Sequence, residues 1–227
     1  MDTVNILGVG IAKTNLKNAL NFVVSSKNCV VYNVNADIVY KAYKDSEFLG
    51  KLNKANLILA EDSLLHEASK TLKNELPEKV DISLFVDSII KYAYKEKKSV
   101  YLLGSKAGVA LKAKQKLETK YRGINIIDSQ STKYDEEKKS DILILDLPSP
   151  IREEFIEENI DKISSKTIIA FTGSLPYLAG LTKKAPNWYR RFKLEKLYEK
   201  MSSINSVDDI VFIPHFKKAV SKQKKEK

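Results

Sequence analysis

The sequence predicts an α/β fold: a Rossmann-like, mostly parallel sheet with helices on both faces, followed by a small basic helical appendage at the C-terminus. Three observations carry this prediction. Short β-branched runs alternate with amphipathic stretches along most of the chain, the pattern of strands joined by crossover helices. A length of 227 residues, with 43% hydrophobic and 9% aromatic content, gives enough apolar material for one sizeable core despite 30% charged residues. The net charge of +10 is concentrated at one end: from Lys183 to Lys227 there are 13 Lys or Arg against 5 Asp or Glu, a surplus of 8, so the rest is near neutral.

In chain order, the strand candidates are VNILGV (4–9), CVVYNV (29–34), LILA (57–60), SVYLLG (99–104), INIID (124–128), DILILDL (141–147) and TIIAFTG (167–173). Between them, apolar residues recur at three and four over Leu16 to Val24, Leu64 to Leu72, Leu84 to Tyr94, Val109 to Leu117 and Phe155 to Ile163. That spacing gives each stretch one buried face as a helix. No internal repeat is present. The boundary falls near Pro186, dividing an α/β body, 1–186, from the appendage, 187–227, whose tail KKAVSKQKKEK is expected to fray without a partner.

The single cysteine, Cys29, lies in an apolar run, which suits a buried thiol and leaves no intrachain disulfide. No apolar run reaches the length of a membrane span, and the opening MDTVNILGVG lacks the features of a signal peptide. A cytoplasmic location is expected.

Ligands of such sheets bind at the carboxyl ends of the strands, so the loops there hold the candidate residues. In YLLGSKAGVALKAKQKL, Gly104 and Gly108 allow close backbone approach, a helix N-terminus presents N–H groups and Lys106 adds charge, a combination suited to a diphosphate; the alternative is an empty tight turn. Asn33 and Asn35 in YNVNADIVYKA can donate and accept toward a sugar or a base, or cap a helix. In LILAEDSLLHEA, Asp62 ends a strand and opens a helix, placing it as an N-cap or as a general base; His66 reads as a packed helix residue. In LDLPSPIREEFIEENI, Arg152 falls in the first turn of a helix, where the dipole is already positive, and so calls for an anionic partner.

Taken in order, these segments resemble the WecG/TagA/CpsF family of bacterial glycosyltransferases, from about Asn5 to the C-terminus. The matching marks are ILGV, NVNADIVYKA for the family's T-x-N-x-E/D, ANLILAEDS for A-D-L-V-L-x-D-G and YLLGSKAGVA for L-L-G-x-x-x-G-V-A. They continue with LPSPIREEFI for P-K-Q-E-x-W-I, LAGLTKKAPNW for L-A-G-x-x-x-R-A-P-x-W, KLEKLY for L-E-W-L-Y, and IPHFKKAV. The resemblance implies inverting, metal-independent transfer of N-acetylmannosamine or a related sugar from a UDP donor to a polyprenyl-diphosphate-linked sugar, in the synthesis of teichoic acid or a surface polysaccharide. It implies Asp62 as the base, with Asn33, Asn35, Gly104, Lys106, Gly108, Arg152 and Lys184 about the substrates, and no cofactor or metal. No D-x-D motif is present, in keeping with that.

The resemblance also places the appendage, through Trp188, Arg190, Arg191 and Lys193, against the lipid acceptor and an anionic membrane surface, on the inner face of the cell membrane. The sequence departs from the family's pattern at Asn33 (Thr), Ser63 (Gly), Arg152 (Gln), Pro176 (Asp), Lys184 (Arg), Lys196 (Trp) and Glu199 (Arg). These departures keep open a catalytically degenerate paralogue that serves as a partner or scaffold of a glycosyltransferase, or assembles as a homo-oligomer. A nucleic-acid binder is supported by charge alone.

Overall fold

The structure is a computed structural model that describes residues 1–77, 79–181 and 207–226. Six parallel strands form one sheet in the order β4-β3-β8-β7-β5-β6, and two antiparallel strands, β1 and β2, form a separate hairpin.

The sheet strands are β3 (Cys29–Val34), β4 (Leu57–Ala60), β5 (Val100–Gly104), β6 (Ile126–Gln130), β7 (Ile142–Asp146) and β8 (Thr167–Ala170). Every residue of β4, β5, β7 and β8 is buried, as expected of parallel strands covered on both faces. Two apolar clusters lie on opposite faces: one holds Tyr32, Val34, Leu65 and Leu143, the other Val31, Leu59, Phe85 and Ile144. Cys29 belongs to the second, and burial pushes its thiol up to about 11, as suits an unreactive packed cysteine.

The helices are α1 (Leu16–Ser25), α2 (Ala36–Lys44), α3 (Ser46–Leu52), α4 (Ser63–Thr71), α5 (Ile82–Lys95), α6 (Val109–Lys120), α7 (Ile151–Asn159), α8 (Ser174–Leu178) and α9 (Val207–Lys225). Asn15, Asn35, Asp45, Asp62 and Asp81 cap α1 to α5, each accepting from a backbone N–H in the first turn.

Three expectations are corrected. The segment 4–9 is no single strand: β1 (Thr3–Ile6) turns at Leu7 and Gly8, with φ of 52° and 94°, into β2 (Val9–Ala12). Two positive φ values in a row make the two-residue hairpin turn, and Asn5 Oδ1 accepts from Gly8 N at 3.0 Å to hold it. The helix expected to run to Ile163 ends at Asn159, whose side chain donates to Phe155 O at 2.8 Å. The tail does not fray: α9 continues to Lys225, because Phe216 and Val220 are buried in the first apolar cluster. The Gln223 side chain accepts from Leu7 N and donates to Asn5 O, both at 3.0 Å. The expected boundary near Pro186 lies outside the described residues.

Candidate active site

Chain order along the sheet reverses beside β3: the chain steps from β3 outward to β4, and reaches β8, on the other side of β3, last. Connections leave the neighbouring strands in opposite directions there, opening a crevice at their carboxyl ends. Asn33, Glu61, Asp62, Asp146 and the loop after β8 gather at those ends.

Arg152 fills the floor of the crevice. It is fully buried, and its guanidinium donates to Asn33 Oδ1 at 2.6 Å, Asn33 O at 2.6 Å, Ala170 O at 3.0 Å and Glu153 Oε1 at 2.7 Å. Its central carbon lies 5.1 Å from the centroid of the Tyr32 ring. The anionic partner that the sequence demanded for Arg152 is therefore the adjacent Glu153, and the guanidinium is not open to a ligand in this conformation. Asn33, 1% exposed, is similarly occupied: its amide nitrogen donates to Glu61 Oε2 at 2.7 Å. Both residues thus shape the site from beneath. Two departures from the family's lettering, Asn33 and Arg152, are physically linked in this way, and the carboxylate beside Asp62 extends the same chain of bonds.

Asp62 ties two helices together. Its Oδ1 accepts from Leu65 N at 3.0 Å, capping α4, and its Oδ2 accepts from Ala36 N at 2.9 Å, at the start of α2. His66 Nδ1 lies 3.1 Å from Asp62 O, in keeping with a packed helix residue. Asn35 spends its Oδ1 on Ile38 N at 2.9 Å, so the capping role is realised for both residues. Burial pushes the carboxyl of Asp62 above its ordinary range, opposed by the two N–H donors and by Lys79 and His66. Glu61 is also pushed up, by burial and then by the Asp62 charge, against the Asn33 hydrogen bond and the Arg152 and Lys79 charges.

The loop after β5 approaches β7 closely. A Cβ on Gly104, at φ of 109°, would lie 2.3 Å from Asp146 O, so a side chain cannot be accommodated. Ser105 N donates to the same carbonyl at 2.7 Å. Gly108, at φ of 78°, precedes α6 with no side-chain cap, and Lys106 is exposed beside it. Val109 N donates to Lys106 O at 3.1 Å, closing the turn that opens α6.

Sequence reasoning missed Asp146, whose Oδ1 and Oδ2 accept from Gly173 N at 2.7 Å and Leu175 N at 2.9 Å, fixing the loop after β8. A lone carboxylate closing the apolar run ILILD was the available signal. Also missed were Glu61 and Glu153. Among the described residues, Ser149 Oγ, Glu153 Oε2 and Ser174 Oγ are buried without a hydrogen-bond partner, all in the segments after β7 and β8. Lys184, Trp188, Arg190, Arg191 and Lys193 lie outside the described residues.

The family model of the glycosyl transferase WecG/TagA/CpsF family matches residues 4–225, nearly the whole chain. The chain belongs to this family. Relatives include proteins of Staphylococcus aureus strains MRSA252, MW2 and NCTC 8325, each named N-acetylglucosaminyldiphosphoundecaprenol N-acetyl-beta-D-mannosaminyltransferase. Each is 26% identical over 238 aligned residues, covering 98% of this chain and 94% of the relative. Within the WecG/TagA/CpsF family, then, this chain combines a near full-length match with a buried Arg152–Asn33–Glu61 linkage beneath its site.

Proposed function

We propose that this protein transfers N-acetylmannosamine, or a related N-acetylhexosamine, from a UDP donor to a polyprenyl-diphosphate-linked sugar in the making of a cell-wall polymer. The observation that carries the reading is the end-to-end family match together with a strand-end crevice in which glycine turns and carboxylates meet. In a Rossmann-like use of the sheet, the UDP diphosphate lies along the Gly104–Gly108 loop, where the first turn of α6 and Lys106 oppose its charge. The acceptor hydroxyl attacks the anomeric carbon from the opposite face, with inversion, and gives its proton to a carboxylate at the end of β4, where the resemblance marks Asp62. Substrate groups bind over Asn33 and Arg152 rather than on their side chains, which the fold occupies.

The lipid acceptor places the protein at the inner face of the membrane. Supporting this, α9 and the end of α2 frame a groove of about 470 Å³, lined by Tyr40, Tyr43, Lys44, Lys218, Lys222 and Lys225. Such a mix of aromatic surface and ammonium groups suits an anionic interface. No helix among the described residues is long and apolar enough to cross a membrane.

A second reading is a non-catalytic paralogue that partners a transferase, and the closure of Asn33 and Arg152 onto each other favours it. UDP titration by calorimetry in the presence of EDTA tests the donor site. Saturable heat is expected, and its absence up to millimolar UDP removes the nucleotide-sugar reading.

A further inference from the structure

The carboxylate that precedes Asp62 stands where the family's lettering prescribes no residue: Glu61 is the x of A-D-L-V-L-x-D-G. Two of the residues that hold it depart from that lettering. Its Oε2 accepts from the Asn33 amide at 2.7 Å, and Asn33 Oδ1 accepts in turn from Arg152 at 2.6 Å. A buried amide and a buried cation therefore act together to fix one oxygen of Glu61. The backbone is fixed as well, since Glu61 N donates to Val34 O at 2.8 Å. The other oxygen, Oε1, accepts no hydrogen bond among the described residues, and the residue is half-buried at the crevice. A carboxylate held rigidly at one oxygen and left open at the other suits a ligand that donates a hydrogen bond. Asp62 lies close beside it: after burial, the Asp62 charge is the largest influence that raises the Glu61 carboxyl.

We propose that Glu61 is an acceptor-specificity residue, whose open Oε1 receives the sugar hydroxyl that neighbours the attacking one, with Asn33 and Arg152 as its positioning residues. The assignment rests on the transferase reading above and leaves the base at Asp62. A base at Asp62 draws the attacking hydroxyl to the end of β4. The hydroxyl on an adjacent carbon of the same ring then comes within reach of the residue next to Asp62. Glu61 takes no proton in the transfer; it accepts a hydrogen bond that holds the ring at one angle to the base. The ligand class this fits is a hexosamine with free hydroxyls on neighbouring carbons. An acceptor lacking the second hydroxyl leaves a recessed carboxylate oxygen without water or partner, and a site of that kind rejects the poorer ligand strongly.

The test pairs variants of Glu61 with acceptors. A short-chain polyprenyl-diphosphate-N-acetylglucosamine is compared with analogues in which each hydroxyl other than the attacking one is singly replaced by hydrogen. On the unaltered protein, one analogue is expected to lose about 10- to 100-fold in kcat/KM. On Glu61→Ala that penalty should shrink to within about threefold, because the hydroxyl has no partner left to lose. Glu61→Gln keeps a carbonyl for Asn33 and turns an NH₂ toward the ring. It should raise the acceptor KM by about 10-fold or more while the UDP-sugar KM and kcat stay within about threefold. If Glu61→Ala does not fold, the same analogue series on Glu61→Gln decides the matter. Equal penalties on the unaltered and altered proteins, or acceptor and donor KM values that rise together, overturn the assignment alone. Absence of any turnover by the unaltered protein, with UDP bound, instead removes the transferase reading and this assignment with it.

Discussion

Asp62→Asn separates the clasp from the chemistry. An isolated N-cap aspartate is replaced by asparagine at little cost, since the amide oxygen accepts the same bond. Asp62 is not such a cap: it accepts from Leu65 N at 3.0 Å with one oxygen and from Ala36 N at 2.9 Å with the other. Asparagine offers one acceptor, so its NH₂ must face one of the two N–H groups. Loss of a charge-assisted bond contributes about 1.5–3 kcal/mol, and removing the negative charge from two helix N-termini adds about 0.3–1 kcal/mol for each. A total of about 2–5 kcal/mol corresponds to a drop in melting temperature of roughly 4–20 °C for a domain of this size. Thermal unfolding followed by circular dichroism, with transfer assayed well below the midpoint, measures both effects. The expected pair is a lowered midpoint and turnover lower by about 10² to 10⁴ fold, as for the loss of a general base. Turnover within about threefold of the unaltered protein would refute the catalytic role and leave Asp62 as a clasp alone.

Two glycines distinguish close approach from conformational strain. Gly104→Ala, which would set a Cβ 2.3 Å from Asp146 O, is expected to cost more than about 3 kcal/mol, while Gly108→Ala, with open space about it, should cost about 1–2 kcal/mol in denaturant unfolding. Arg152→Met leaves Glu153 buried and unpaired and should lower stability by about 3–5 kcal/mol by the same measure. Because the carboxyl of Glu61 is raised in the folded protein, its contribution to stability is present below the unfolded pKa and is lost as pH rises through the folded value. The melting-temperature difference, Glu61→Gln minus unaltered, should therefore grow more positive as pH rises above the ordinary glutamate range. Replacing Lys218, Lys222 and Lys225 together by Ala should weaken sedimentation with anionic vesicles by about tenfold or more at low salt, leaving the fold intact. Ending the chain near Pro186 is the poorer experiment, since it strips Phe216 and Val220 from the core.

Much of the architecture was legible because it is local. Apolar runs such as LILA and the ILIL of β7 mark strands covered on both faces, and Asn35 and Asp62 mark helix starts through bonds spanning three residues. The hairpin at Leu7–Gly8 was not, because a leucine with φ of 52° does not announce a two-residue turn as Asn-Gly would. In the site, Arg152 was correctly singled out as a cation in an unfavourable place. Its partners were not visible: Glu153 is adjacent in sequence, but Asn33 is 119 residues away and meets it through the sheet order. Asp62 showed its cap to α4, which is local, and hid its cap to α2, which is 26 residues back. The carboxyl-end crevice is thus a product of topology, and single-residue spacing reveals only the half of each contact that lies within one helical turn.

The most direct test of the central claim is incubation of the purified protein with UDP-N-acetylmannosamine and a short-chain polyprenyl-diphosphate-N-acetylglucosamine, with product read by mass spectrometry. The account predicts a product heavier by one N-acetylhexosamine, together with free UDP, formed equally in the presence of EDTA. UDP binding without any such product, from this donor or other UDP-N-acetylhexosamines, would contradict it and leave the protein as a non-catalytic member of its family.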